Sequence, residues 1–270
     1  MKCARNVLAF VLVVFFAALI SAQEGQIASD SELAAITARG KLLYEYDQAA
    51  WHASDAVMAT HPPEALLGRY IAKKTDAGWV VAFGHLNDAK DAFMIAATAT
   101  QGKSLQEFSV KRIDPPQADR GFFLSASAAL DAAVPAFHGA AANRTYNAAV
   151  LPAPAGRWYV YLEPAQTDAD GDYFPLGADV RYLVSADGLS IVETRQMHQS
   201  IIPKAEIPPG TKLAAGFHTH VLSDVPEDSD VFCVLSRKPS MPEYVGSKTA
   251  VYVVNTDGSI QFVERLKKHR

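Results

Sequence analysis

The sequence has few cysteines and no excess of positive charge. Two of its 270 residues are cysteines, Cys3 and Cys233, which excludes a disulfide-rich scaffold. The 25 lysines and arginines are outnumbered by 29 aspartates and glutamates, and the formal net charge is -4. A chain with this balance gives no reason to expect nucleic acid as a partner, so we predict no nucleic-acid binding. Motifs of serine hydrolases, H-E-x-x-H proteases, phosphate-binding loops and dinucleotide-binding folds are also missing.

Long apolar runs are absent after the first 22 residues. Residues 1–6 are short and basic, residues 7–20 form an uninterrupted apolar run, and Ser21 and Ala22 follow it. This order is typical of a secretory signal peptide, and the run is shorter than the roughly 20 residues of a membrane-spanning helix. We therefore predict a signal peptide at 1–22 and no membrane span after its cleavage. The mature protein would begin near Gln23 and be exported, either periplasmic or secreted.

The apolar pattern of the first half predicts α+β structure. A helix is predicted from Ser29 or Asp30 to about Thr60, because serine and aspartate cap helices and two prolines follow its end. Short strands are predicted at 69–73, 79–86, 92–98 and 108–113. The last strand should end at Pro115, because proline cannot donate a hydrogen bond to a sheet. Residues 23–119 would thus form an N-terminal region of a helix and a meander.

The second half is rich in predicted strands. An alanine-rich helix is predicted at 122–142, and Pro135 should kink or split it. Strand pairs are predicted at 146–151 with 158–162, 180–185 with 190–195, and 251–255 with 259–263. A further strand is predicted at 212–220, and a short helix at 227–236.

The sharpest chemical feature is His218-Thr219-His220 on the predicted strand. Alternate residues of a strand point the same way, so the two imidazoles share one face. The segment that follows is acidic, with Asp224, Glu227, Asp228 and Asp230. Two histidines and one carboxylate would bind a divalent metal such as zinc and leave a fourth position for water, the arrangement of catalytic zinc sites. The alternative is that the histidines are a chance pair on a polar face.

The order strand, His-x-His, polar loop and helix resembles the JAB/MPN metallopeptidase fold, of the type found in uncharacterised exported bacterial proteins. That family carries H-x-H followed by S-x-x-D, and the resemblance assigns His218, His220 and Asp230 as zinc ligands. It implies that residues 120–270 form a JAB-like mixed β-sheet with flanking helices. Glu227 stands where the family has its serine. The family's general-base glutamate is replaced by the pair 146–147, a tyrosine and an asparagine.

Two functions remain open at this point, and the first of them is the leading prediction. In the first, the protein is a zinc-dependent amide or peptide hydrolase that acts on an unknown protein or peptide substrate. Glu163, at the far end of the 146–162 hairpin, would then be the catalytic base, with Glu45 and Glu193 as weaker candidates. In the second, the protein is a noncatalytic exported binding or toxin-related module on the same scaffold. The missing family glutamate favours the second function, whereas the acidic segment beside the histidines favours the first.

Three other features are interpreted as structural. His198 follows a predicted strand and could approach the two histidines, but we interpret it as a surface histidine. The alternating aspartates of 168–172 resemble calcium ligands, yet a solvated loop is the better interpretation because a matching glutamate is missing. Cys233 lies in an apolar run, which predicts a buried and inert thiol.

Overall fold

The computed structural model describes residues 27–63, 67–138, 144–167, 174–203, 208 and 210–267. The predicted signal peptide and the aspartate-rich loop at 168–172 lie outside these residues. Within the described part, helices accompany antiparallel and mixed sheets, which confirms the α+β class. No helix there is long and apolar enough to cross a membrane.

The first sheet follows a long N-terminal helix. The bounds are α1 Asp30–Met58, β1 Arg69–Thr75, β2 Gly78–Leu86, β3 Phe93–Gln101 and β4 Phe108–Asp119. The strands form an antiparallel meander in chain order, as predicted. Ser29 caps α1 by accepting a hydrogen bond from the Glu32 N–H at 3.2 Å. The prediction that Pro115 ends the fourth strand was wrong, because β4 is an edge strand whose pairing is interrupted opposite Ala96 and resumes at Gln117.

A second helix and a second antiparallel sheet follow. The bounds are α2 Phe122–Ala133, β5 Tyr146–Pro152, β6 Trp158–Pro164, β7 Val180–Val184 and β8 Ile191–Gln196. The sheet order is again the chain order, β5-β6-β7-β8. Helix α2 ends at Ala133, two residues before Pro135, because proline cannot continue a helical hydrogen-bond ladder. The last part of the predicted helix, 139–142, lies outside the described residues.

The third sheet is mixed. It contains β9 Gly216–Thr219, β10 Glu243–Gly246, β11 Ala250–Val254 and β12 Ile260–Arg265, and α3 Asp228–Ser236 lies between β9 and β10. Strands β9 and β10 are parallel, which fits the crossover through α3, and the other pairs are antiparallel. Strand β9 is shorter than the predicted 212–220, and β10 has no counterpart among the predicted strands.

Helix α1 packs closely against α3. At Gly40 of α1, an added Cβ would lie 2.5 Å from Val231 Cβ and 2.6 Å from the Asp228 carbonyl oxygen. Glycine is therefore required for this approach, which brings the N-terminal helix against a helix of the second half of the chain. The main hydrophobic cluster likewise takes residues from both sides of the predicted 119/120 boundary, from Leu43 to Phe232. The two-region division stays a prediction.

Candidate metal centre

His218 and His220 lie at the buried end of β9. His218 pairs with Val245 of β10, and the His220 N–H continues the ladder by donating to the Gly246 carbonyl at 2.7 Å. Both histidines are buried. The alternation of the strand brings their Nε2 atoms to 3.1 Å from each other, so the predicted shared face is present.

Asp230 reaches the same point from the first turn of α3. Its Oδ1 lies 3.1 Å from His218 Nε2, and its Oδ2 lies 3.2 Å from His220 Nε2. The Glu227 N–H donates to Asp230 Oδ2 at 2.7 Å in a capping box. The helix start therefore fixes the carboxylate, and the three sequence-predicted ligands do come together.

His198 joins them, and its interpretation as a surface histidine was wrong. It is buried, with 5% of its surface exposed. Its Nε2 lies 2.9 Å from His220 Nε2 and 3.2 Å from Asp230 Oδ1. The physical reason is the β7–β8 hairpin, whose ladder continues past Gln196 and turns residue 198 inward, where the Asp179 carboxylate receives its backbone N–H at 3.0 Å.

A second layer of acceptors orients the three rings. His198 Nδ1 lies 2.9 Å from Asp179 Oδ1, and His218 Nδ1 lies 2.8 Å from Glu243 Oε1. His220 Nδ1 lies 2.8 Å from the carbonyl oxygen of Val225. Because these oxygens accept, each Nδ1 carries the proton, and in the neutral rings each Nε2 directs a lone pair at the centre. Metal-binding histidines are held in this way.

Several of the donor atoms have spacings close to those around a tetrahedral metal. Four atoms at 2.0–2.1 Å from zinc would be about 3.3 Å apart. One donor atom from each of the four residues lies within 4.8 Å of every other, and the closest pairs are at 2.9–3.2 Å. Asp230 Oδ1 is buried without a hydrogen-bond donor of good geometry in the described part of the chain. A buried cluster of His198, His218, His220 and Asp230 could thus hold a metal ion.

The electrostatics also favour a positive charge at this point. Burial disfavours the ionised carboxylate of Asp230, but the surrounding histidines hold its pKa well below the usual range. Burial likewise opposes a charge on His218, yet Asp230 and Glu243 raise its pKa to about 9. The pKa of His198 is raised for the same reason, by Asp179 and Asp230 against its desolvation. In the metal-free protein, protons supply the positive charge that a metal ion could replace.

The other acidic residues of the 224–230 segment lie outside the cluster. Asp228 is fully buried and binds Arg39 of α1, Arg181 of β7 and the Tyr161 hydroxyl. Glu227 forms a bidentate ion pair with Arg195 at 2.7 and 2.8 Å. Asp224 is not among the four converging residues. Asp230 is therefore the member of this segment that the α3 geometry selects.

Glu163, the predicted catalytic base, lies behind the cluster. It is buried against Asp179, which in turn holds His198. Burial, followed by the charge of Asp179, raises the pKa of Glu163 well above its usual range, which favours the protonated carboxyl. Its role as a base stays a prediction. The weaker candidates lie elsewhere: Glu45 pairs with Lys74 at 2.5 Å, and Glu193 is exposed on β8.

The sequence analysis did not assign three residues to this cluster: His198, which it interpreted as a surface residue, Asp179, which contacts His198, and Glu243, which contacts His218. A signal for two of them is present in the sequence. The register Val180 with Gln196 continues by one residue to bring Asp179 beside Met197 and His198. Glu243 gives no comparable signal, because its position depends on the parallel β9–β10 pairing across α3.

Comparison with protein-family models, curated proteins and solved structures found no match to the chain.

Proposed function

We propose that this is a zinc-binding protein whose metal site is completed by four protein ligands, His198, His218, His220 and Asp230. The observation that carries the proposal is the convergence of three imidazole Nε2 atoms on one buried carboxylate, with every Nδ1 already engaged by an acceptor. Zinc is favoured because it takes imidazole nitrogen and carboxylate oxygen in a tetrahedral arrangement. His198 follows β8, His218 and His220 lie at the end of β9, and Asp230 lies in α3, so the ion would join these three parts of the fold.

The fourth ligand favours a noncatalytic role. A catalytic zinc site keeps one position for water, whereas a structural site is closed by protein ligands. His198 takes the position that we expected water to occupy. The function best supported is therefore a noncatalytic exported module that zinc stabilises, on a scaffold that we propose to be JAB-like. The order His-x-His strand, helix with Asp230 and a following parallel strand supports that resemblance.

A zinc-dependent hydrolase is the second candidate, and the Asp179–His198 pair is the observation in its favour. A carboxylate that orients an imidazole is also the arrangement of a general base. In this alternative, His218, His220 and Asp230 hold zinc, which supplies Lewis-acid activation of water. His198 would accept a proton from that water at Nε2, and the substrate would be an amide bond of a protein or peptide.

Metal binding by single variants separates the two functions. Zinc content and zinc affinity would be measured for wild type, His198→Ala, His218→Ala and Asp230→Asn, together with hydrolysis of a mixed peptide library. The closed site predicts one zinc per chain, a comparable loss of affinity in all three variants, and no hydrolysis by wild type. The hydrolase predicts that His198→Ala keeps its zinc and loses peptide hydrolysis.

His85→Ala is the matched control, because it removes an exposed imidazole of β2 far outside the four-residue cluster. It should bind zinc as wild type does. Zinc binding that survives unchanged in Asp230→Asn and His218→Ala would end the proposal of a metal site at this cluster.

A further inference from the structure

A groove of about 760 Å³ opens on the face formed by α1, β1 and β5, lined by residues outside the metal cluster. Its described lining includes one carboxylate, Asp47, and aromatic side chains of Trp51, Tyr70 and Phe174. Gln48 and Asn147 add amide groups. Among the lining residues that the structure describes, Asp47 is the one with a formal charge, so no basic side chain balances it there.

Asp47 is poorly compensated. Within the described residues, Asp47 accepts one side-chain hydrogen bond, from Gln48 Nε2 at 3.3 Å. No lysine, arginine or histidine of that part of the chain forms an ion pair with Asp47. Burial of this carboxylate raises its pKa to about 6. Holding a half-buried charge without a basic partner costs stability, which is common at binding sites and unusual for a purely structural residue.

A buried oxygen atom without a hydrogen-bond partner lies next to the same groove. Beneath the groove is a cavity of about 10 Å³, roughly the size of one water molecule, which shares Asp47, Tyr70 and Asn147 with it. Glu163 also lines this cavity. Its Oε1 is buried and has no hydrogen-bond partner within the described residues, so a donor in this space would satisfy it.

We propose that the groove binds a small organic cation, such as a primary amine, with Asp47 as its counter-ion. The ammonium group would donate hydrogen bonds to Asp47, and the apolar part of the ligand would lie against Trp51 and Phe174. Aromatic faces attract cations and also bury apolar carbon, so a cation satisfies both features of the lining. A neutral ligand would leave the carboxylate without compensation. This site does not depend on the proposed zinc site.

The test uses phenethylamine and its neutral counterpart 2-phenylethanol, titrated calorimetrically into the full mature protein at pH 8. At this pH both Asp47 and the amine are charged. We expect phenethylamine to bind wild type at least roughly tenfold more tightly than the alcohol. Asp47→Asn should weaken amine binding by a similar factor and leave alcohol binding unchanged. Trp51→Ala should weaken both ligands, because it removes apolar contact.

Asp55→Asn is the matched control, since it removes one negative charge from the exposed face of the same helix and lies outside the groove lining. It should bind phenethylamine within about twofold of wild type. Equal affinities for amine and alcohol, an undiminished affinity in Asp47→Asn, or no binding of phenethylamine by wild type at millimolar concentration would each overturn the proposal. Repeating the titration with Asp230→Asn should give the wild-type affinity, which keeps this result separate from that of the metal site.

Discussion

Two buried carboxylates in the first turn of α3 have their negative charges balanced in different ways. Asp228 and Asp230 are two residues apart, and neither has any surface exposed. Asp228 faces the guanidinium groups of Arg39 and Arg181 and the hydroxyl of Tyr161. Arginine is charged at every pH that the protein meets, so the charge of Asp228 is balanced by the chain itself.

Asp230 faces imidazoles instead. The three rings that surround it carry positive charge only when Nε2 is protonated, and their Nδ1 atoms are already engaged by acceptors. The negative charge of Asp230 is therefore balanced either by protons on the imidazoles or by a bound metal ion. The difference teaches that one helical turn can hold a permanent ion cluster that joins α1 to the sheets, beside a cluster whose charge depends on conditions.

The largest expected effect is the loss of Asp228. Asp228→Ala leaves Arg39 and Arg181 without their shared carboxylate, one of them largely buried. We expect the free energy of unfolding to fall by about 3–5 kcal/mol, as for other broken buried ion pairs, measured by urea denaturation. Glu45→Ala, which breaks the more exposed pair with Lys74, is the control and should cost at most about 1 kcal/mol. Similar losses in the two variants would contradict a special role for the buried cluster.

Zinc should stabilise the protein through Asp230. At a free zinc concentration about 100-fold above the dissociation constant, the free energy of unfolding should rise by about 2.7 kcal/mol, because the ion binds the folded state. Asp230→Asn should show no such rise, whereas His85→Ala should keep it in full. Urea denaturation with zinc and with a chelator checks this prediction. An equal rise in Asp230→Asn would place the zinc elsewhere.

Asp47, which has no basic partner within the described residues, should lower the stability of the protein when it is ionised. Burial raises the pKa of Asp47 to about 6, above the 3.8 of an unperturbed aspartate, so folding favours its neutral form. The resulting loss in the free energy of unfolding is absent below about pH 4, grows as the pH rises towards 6, and is complete well above pH 6. Asp47→Asn should therefore be more stable than wild type by about 1 kcal/mol at pH 8, after allowance for solvent screening, and equally stable at pH 4. A stability gain of Asp47→Asn that is the same at pH 4 and pH 8 would point to another cause.

The smallest expected effect concerns Cys233, one turn after Asp230. Its thiol is buried, and burial raises its pKa to about 12, so few thiolates form. We expect slow labelling by a thiol reagent in the native protein, at the same rate with and without zinc, and fast labelling in urea. Protection that appears only when zinc is added would show that the thiol takes part in the metal site.

Much of the local structure could be predicted from the sequence. The Ser29 cap, the strand pairs 180–185 with 190–195 and 251–255 with 259–263, and the His-x-His alternation depend on neighbouring residues, and the structure confirms each of them. The buried Cys233 follows from its apolar neighbours in the same way. The predictions of strands were wrong where the structure of a segment depends on residues that are distant in the sequence. The path of β4 beyond Pro115 depends on its place at a sheet edge, and β10 is short and gains its partners only from β9 and β11.

The sequence by itself determined which residues could bind a metal, because His218, His220 and Asp230 carry the right donors at the right intervals. Only the tertiary structure decided that His198 completes the set. This residue is 20 positions before His218, and its direction depends on the β7–β8 register and on the Asp179 carboxylate. The physical reason is that strand and helix periodicity fix side-chain directions over a few residues, whereas the meeting of three imidazoles and a carboxylate is set by the packing of separate elements.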